Sequence, residues 1–321
     1  MTVTTFTRPN THADTAPHAA PVQSVPVAVS TASSAVALLP GRAWYRRTLP
    51  ISVAVLTTGL LLYLVVYAAL TYTGDPLFIP ALILVGACTV PAAFAVYVSR
   101  LAGATSISSR MLALSALWGG VLGAVIAGVL ESDTVRVLGG LPAPFIGLIE
   151  ESAKLIVPLA LLLFVKRLRR SEADGLLVGV AVGVTFAVLE TMGYAFVALI
   201  QTQGNLHAMD QLLLVRGLLA PAGHAAWTGL AAAALWRVVI RRTVRTVFGF
   251  LATFALVVAL HTTWDSITAW PWYLALAAVS LGLLHLRLWR IRHIPRLAVA
   301  APAPPTDPAA PTTASSAPIA A

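Results

Sequence analysis

The chain has 321 residues, 58% of them hydrophobic and 10% charged, with a mean hydropathy of +0.85. Soluble domains carry about a quarter charged residues, so this composition excludes a soluble globular protein and indicates an integral membrane protein. The net charge of +9 does not point to nucleic acid, because the arginines and lysines gather in short runs beside apolar segments, where they act as topology signals. Cys88 is the single cysteine, which excludes an intrachain disulfide.

Residues 1–40 and 299–321 are rich in Pro, Ala, Thr and Ser, and are expected to be disordered tails around a membrane domain at 41–298. The first 40 residues lack the charged-then-apolar pattern of a cleaved signal peptide, so the first membrane helix is expected to direct insertion. Eight apolar segments of about 20 residues follow, each long enough to cross about 30 Å of hydrocarbon. They lie near 50–72, 77–98, 111–130, 141–165, 174–200, 214–235, 246–267 and 269–289. The expected fold is therefore all-α, a polytopic bundle of about eight transmembrane helices.

Basic residues alternate from one side to the other. Arg42, Arg46 and Arg47 precede the first span, Arg100 and Arg110 follow the second, and Lys166, Arg167, Arg169 and Arg170 follow the fourth. Arg237, Arg241, Arg242 and Arg245 follow the sixth, and Arg287, Arg290, Arg292 and Arg296 the eighth. The intervening loops hold Asp75, Glu131, Asp133 and Asp210 against Arg136 and Arg216. The positive-inside rule then puts both termini in the cytoplasm of a multi-pass cell-membrane protein.

Of 12 acidic residues, Glu150, Glu151, Glu190 and Asp265 fall inside the expected spans, as do His224 and His261. Ionisable groups at that depth are costly and mark functional sites by default. Glu150 and Lys154 are four apart, on one helical face, and so are His261 and Asp265. At 1.5 Å per residue, Glu150 lies about 14 Å below the outer end of its span, Glu190 and His224 about 15 Å, and His261 about 9 Å. Four helices thus carry polar residues to one level in the outer half of the membrane, which independent structural residues have no reason to do.

Each motif also has a structural reading. Glu150 with Lys154 can be a register-fixing ion pair, Glu190 an interhelical hydrogen bond, and His224 a partner for backbone freed at Pro221 and Gly223. His261 with Asp265 can be a purely structural hydrogen-bonded pair. Arg216, near the outer interface, reads first as a snorkelling cation. Gly175, Gly179 and Gly183, spaced by four, suit close helix packing.

A His-Glu-x-x-His helix, a Gly-x-Ser-x-Gly elbow and a two-aspartate dyad are all missing, the last because Asp265 is the one aspartate within the spans. The remaining carboxylates and imidazoles suit activation of water, either directly by a glutamate base or through a divalent metal such as zinc held by the same groups. The spacing alone leaves both open. An ion- or proton-coupled transporter would use a similar set, although no internal repeat of the transporter kind is visible. An inactive membrane scaffold is the third reading.

Glu150-Glu151-Ser-Ala-Lys154, Phe186-Ala-Val-Leu-Glu190 with Tyr194, Arg216 with His224, and His261-Thr-Thr-Trp-Asp265 together resemble the motifs of PrsW-type intramembrane proteases. That family is related to CAAX prenyl endopeptidases and bacteriocin-processing proteins. The resemblance covers about residues 141–267 and implies an endopeptidase that cleaves membrane-anchored proteins, with an anti-sigma factor as the substrate type. It also implies Glu150 and Glu151 as the water-activating pair, with Glu190, His224, His261 and Asp265 completing the site and Lys154 and Arg216 in support. Glu190, His224, His261 and Asp265 are the candidate metal ligands. Two positions depart from the pattern: Thr191 stands where relatives often have Asn, and Asp265 where some have Asn.

Overall fold

The computed structural model describes residues 41–103, 105–165 and 171–299, with side chains described over 50–293 in these stretches. The expected tails, save Val299, lie outside the described residues, as do Lys166, Arg167, Arg169 and Arg170 and the side chains of Arg42, Arg46, Arg47 and Arg296. Every regular element among the described residues is helical: α1 (Gly41–Thr73), α2 (Ile79–Leu101), α3 (Ser109–Leu138), α4 (Ala143–Phe164), α5 (Glu172–Gln201), α6 (Leu206–Leu219), α7 (His224–Arg241), α8 (Val244–Ser266) and α9 (Trp270–Val299).

Local sequence sets the ends of these helices. Ser108, Ser171 and Asn205 accept backbone N–H groups at the starts of α3, α5 and α6, and Thr243 forms a capping box with Thr246 on α8. Gly139, at φ 71°, closes α3 in the left-handed conformation that a glycine adopts without strain. Pro221 cannot continue a helix, and α6 gives way to a 3₁₀ turn at Ala220–Ala222 before α7 begins at His224.

Seven helical segments are long and apolar enough to cross a membrane, with Leu206–Arg241 (α6, the turn and α7) counted as one. The eighth expected span, α4, has 22 residues, about 33 Å of helix, but carries Glu150, Glu151 and Lys154 and is too charged for that class. Its ionisable groups pair with one another, as shown below. The third span is longer than its hydropathy suggests, because α3 runs on through Glu131, Asp133 and Arg136 to Leu138. The sixth starts earlier and is broken, so that Asp210, read as a loop residue, is helical and accepts a hydrogen bond from Tyr63 of α1.

α5 and α7 are the most enclosed helices; α1, α8 and α9 lie at the periphery. Small residues let α5 and α7 meet. A Cβ on Gly183 would fall 2.2 Å from the His224 carbonyl oxygen, and one on Gly179 would fall 2.3 Å from that of Thr228. Gly175 admits the Trp236 ring in the same way. The stripe expected from sequence is therefore a packing stripe, and it brings α7 against α5 at the level of His224. Gly119 and Gly120 of α3 do the same against Val182 and Thr185.

Candidate active site

α4 presents Glu150, Glu151 and Lys154 inward, all buried. The Lys154 ammonium donates to both carboxylates, at 2.9 Å to Glu150 Oε2 and 2.8 Å to Glu151 Oε1. Helical spacing makes this possible, since i, i+3 and i, i+4 neighbours share a face. The ammonium also lies 2.7 Å from His224 Nδ1 and 4.0 Å from the centre of the Phe186 ring. An ammonium has donors only, so Nδ1 of His224 accepts and Nε2 carries that ring's proton.

His224 stands at the first turn of α7, and its Nε2 lies 2.7 Å from Glu190 Oε2 on α5. Arg216 of α6 holds the other Glu190 oxygen at 2.9 Å and stacks on Tyr194 at 4.0 Å. Arg216 is therefore a partner of the cluster rather than a snorkelling side chain. His261 of α8 has Nδ1 2.9 Å from Glu151 Oε1, while its Nε2 lies 3.6 Å from Glu150 Oε2 and 3.4 Å from Asp265 Oδ2. The i, i+4 neighbour Asp265 thus sits beside His261, but the short contact belongs to Glu151. Trp227 stacks on His261 at 4.9 Å and meets His224 edge-on. Its Nε1 donates to Ser280 of α9 at 2.9 Å, which fixes the indole behind both imidazoles.

All the residues singled out in the sequence converge, from α4, α5, α6, α7 and α8. Glu151 Oε2 is buried without a hydrogen-bond partner, and such an orphan oxygen is costly in a purely structural cluster. Glu131 is a residue that sequence reasoning assigned to a loop. It lies on the extended part of α3, half-buried, with Oε1 buried and unpartnered, and its charge interacts with those of Glu150 and Glu190. The signal available was Gly139-Gly140, which marks a helix end eight residues beyond Glu131.

A cavity of about 290 Å³ opens beside His224. Trp227, Trp264, Trp270 and Tyr273 line it, with Thr191 and Arg216 also on its wall. It faces the end of the bundle where α8 turns into α9, so the cluster is reached from that end.

The sequence profile of the PrsW family intramembrane metalloprotease matches residues 108–289. The chain belongs to this family. It is therefore a multi-pass membrane protein with the domain of an intramembrane peptidase, and family membership favours peptide hydrolysis over ion-coupled transport. No curated protein and no solved structure matches the chain. The family's metal is chemically compatible with the cluster: Glu150, His224 and His261 offer one carboxylate oxygen and two imidazole nitrogens within 4.8 Å of one another, a donor set suited to zinc. Glu151 on Nδ1 of His261 supplies the outer carboxylate that commonly orients a ligating imidazole and leaves Nε2 free. Glu190 and Asp265, expected as ligands, flank this group, with Glu190 engaged by Arg216.

Proposed function

We propose that the protein is an endopeptidase of the cell membrane that hydrolyses peptide bonds of membrane-anchored proteins, single-span anti-sigma factors among them, in the outer half of the bilayer. The observation that carries this reading is the convergence of Glu150, Glu151, Glu190, His224 and His261 on one buried cluster beside an accessible cavity. Placement in the outer half rests on the alternation of basic loops, which assigns the α3–α4, α5–α6 and α8–α9 turns to the outside and both termini to the cytoplasm.

Hydrolysis requires a water oxygen to attack the carbonyl carbon, the C–N bond to break and the water's protons to be passed on. The Glu150–Glu151 pair takes the first proton; Lys154 holds the pair in place, and Glu151 keeps one oxygen unengaged. His224, whose Nε2 lies 2.7 Å from Glu190 Oε2, delivers a proton to the departing amine. Glu151 and Trp227 fix the His261 ring. Alternatively, a divalent ion such as zinc, held by Glu150, His261 and the His224 nitrogen that the Lys154 ammonium otherwise occupies, would polarise the carbonyl and acidify the water. The aromatic cavity receives a side chain of the substrate next to the scissile bond, so the substrate's helix must unwind at that level to present an extended strand.

The test pairs wild type with Glu150→Gln, each expressed with tagged single-span membrane proteins that include anti-sigma factors. A truncated product that appears with wild type and disappears with Glu150→Gln at matched protein levels supports the reading. The same fragment from both, or transport of an ion without any cleavage by purified protein, contradicts it.

A further inference from the structure

At the other end of the bundle, α8 and α9 pack sparsely against each other and leave a cleft floored by α7. The resulting cavity measures about 300 Å³. It runs along α8 from Thr246 to Leu256, ten residues or about 15 Å of helix. That is half of the roughly 30 Å hydrocarbon core and so the depth of one leaflet. Its deep wall is apolar, with Leu230, Ala234 and Leu283, while Gly249, Leu256 and Leu286 on its rim are exposed. In a membrane, an apolar cleft open at the side is filled by an acyl chain.

The shallow end is charged. Arg237 of α7, Arg287 and Arg290 of α9 line it. Glu172 is the acid that faces them, receiving Arg237 Nε at 3.0 Å and Arg287 at 2.9 Å. Three guanidinium groups against one carboxylate leave an excess of positive charge, and Arg290 stands exposed at the mouth. Guanidinium groups at such a position match a phosphate with paired hydrogen bonds, and basic pockets between helices on the cytoplasmic side suit anionic lipid headgroups.

We infer that this cleft is a binding site for one anionic phospholipid of the arginine-rich leaflet, its phosphate on Arg290, with Arg237 held beside it by Glu172, and an acyl chain along α8 between Phe250 and Leu283. The lipid completes the weak α8–α9 seam and steadies α8, the helix that carries His261 at its far end. The inference does not rest on the peptidase reading.

The test uses the full-length protein, stripped of lipid in detergent and titrated with phosphatidylglycerol or phosphatidylcholine in native mass spectrometry. Wild type is expected to prefer phosphatidylglycerol by about fivefold or more, and Arg290→Gln to lower that preference to about twofold or less. Gly249→Leu offers a second variant that leaves the charges alone. A Cβ there meets nothing within 4 Å, so the leucine starts in open space on the cleft wall and is expected to reduce retention of the bound lipid. Equal binding of the two lipids by wild type, or phosphatidylglycerol retention unchanged in both variants, overturns the inference. Displacement of the lipid by an equal concentration of inorganic phosphate also overturns it, since the site would then recognise a soluble anion.

Discussion

α5 carries the enclosed Asp174 in its first turn and the partly buried Glu190 deeper along it, and the two are treated differently. Asp174, in the first turn and fully enclosed, accepts from the Ser106 backbone N–H at 2.8 Å, the Ile107 N–H at 3.3 Å and the Ser106 hydroxyl. Its hydrogen bonds go to a loop and a helix entrance, and no histidine or second acid joins them. Glu190, sixteen residues further on and about 24 Å away, meets His224 and Arg216 in a cluster that also holds Glu150, Glu151 and His261. A structural carboxylate closes its valences on backbone donors. A working one is surrounded by groups that can exchange protons or hold a cation, and the Glu151 oxygen without a partner belongs to this second environment. Asp174 also shows that Asp265, which is exposed, is not the one aspartate within the spans; the separation of the two along the bundle still excludes a dyad.

The contrast breaks most sharply if both kinds of carboxylate are substituted and activity is separated from folding. Glu150→Gln is expected to lower cleavage by about a hundredfold to ten-thousandfold while the purified protein melts within a few degrees of wild type. Asp174→Ala should do the reverse. It strands the donors of Ser106 and Ile107 and costs about 1–3 kcal/mol, read as a lower melting temperature, with the activity of the folded fraction unchanged. If Asp174→Ala abolished activity at full stability, the distinction between the two carboxylates would fail.

Metal removal comes next in size. Dialysis against a chelator is expected to lower cleavage by about a hundredfold or more and zinc to restore it, with one equivalent bound by wild type and none by His261→Ala. Full activity after rigorous removal would assign the chemistry to the carboxylates and imidazoles alone.

Much of the site could be read from sequence because the bilayer makes ionisable residues conspicuous. Glu150, Glu151, Glu190, His224, His261 and Asp265 stand out in apolar stretches, and helical rise gives each a depth. Depth is one coordinate, however, and rotation about the helix axis is another. Which imidazole meets which carboxylate depends on how α7 rolls against α5, set by Gly179 and Gly183, and on how α4 meets α8, where Gly147 faces Val258 and Thr262. For that reason the Glu151–His261 and Glu190–His224 pairs, and Lys154 as the group bridging three partners, emerge only in three dimensions. Glu131 was hidden by the ordinary habit of ending a span at its first charged residue, whereas α3 continues until Gly139 stops it. The break at Ala220–Ala222 was foreshadowed by Pro221, but an apolar count across 214–235 passes over it.

Arg216 sharpens the comparison at a smaller scale, since it touches the cluster only through Glu190. Arg216→Gln is expected to lower kcat by about tenfold with KM little changed, as for other groups that orient a working residue from behind. Arg216→Lys keeps the charge but loses the planar guanidinium stacked on Tyr194, and should recover part of the loss. A change in KM alone would mean that Arg216 contacts substrate through the cavity it also lines.

The smallest effect on total turnover is expected from the cavity wall, where the consequence is choice of bond rather than rate. Trp264 and Thr268 line the cavity, with the Trp264 ring edge-on to Trp227 and Tyr273. Trp264→Ala enlarges the space and Thr268→Trp reduces it, so the two substitutions should move selectivity in opposite directions. With a substrate series varied at one residue beside the scissile bond, Thr268→Trp is expected to shift the ratio of large to small side chains cleaved by about fivefold toward small ones. Trp264→Ala should shift it toward large ones, with the best substrate of each variant cleaved within a few-fold of the wild-type rate. Parallel losses on every substrate would show that the aromatic wall supports the imidazoles through Trp227 and does not select the substrate.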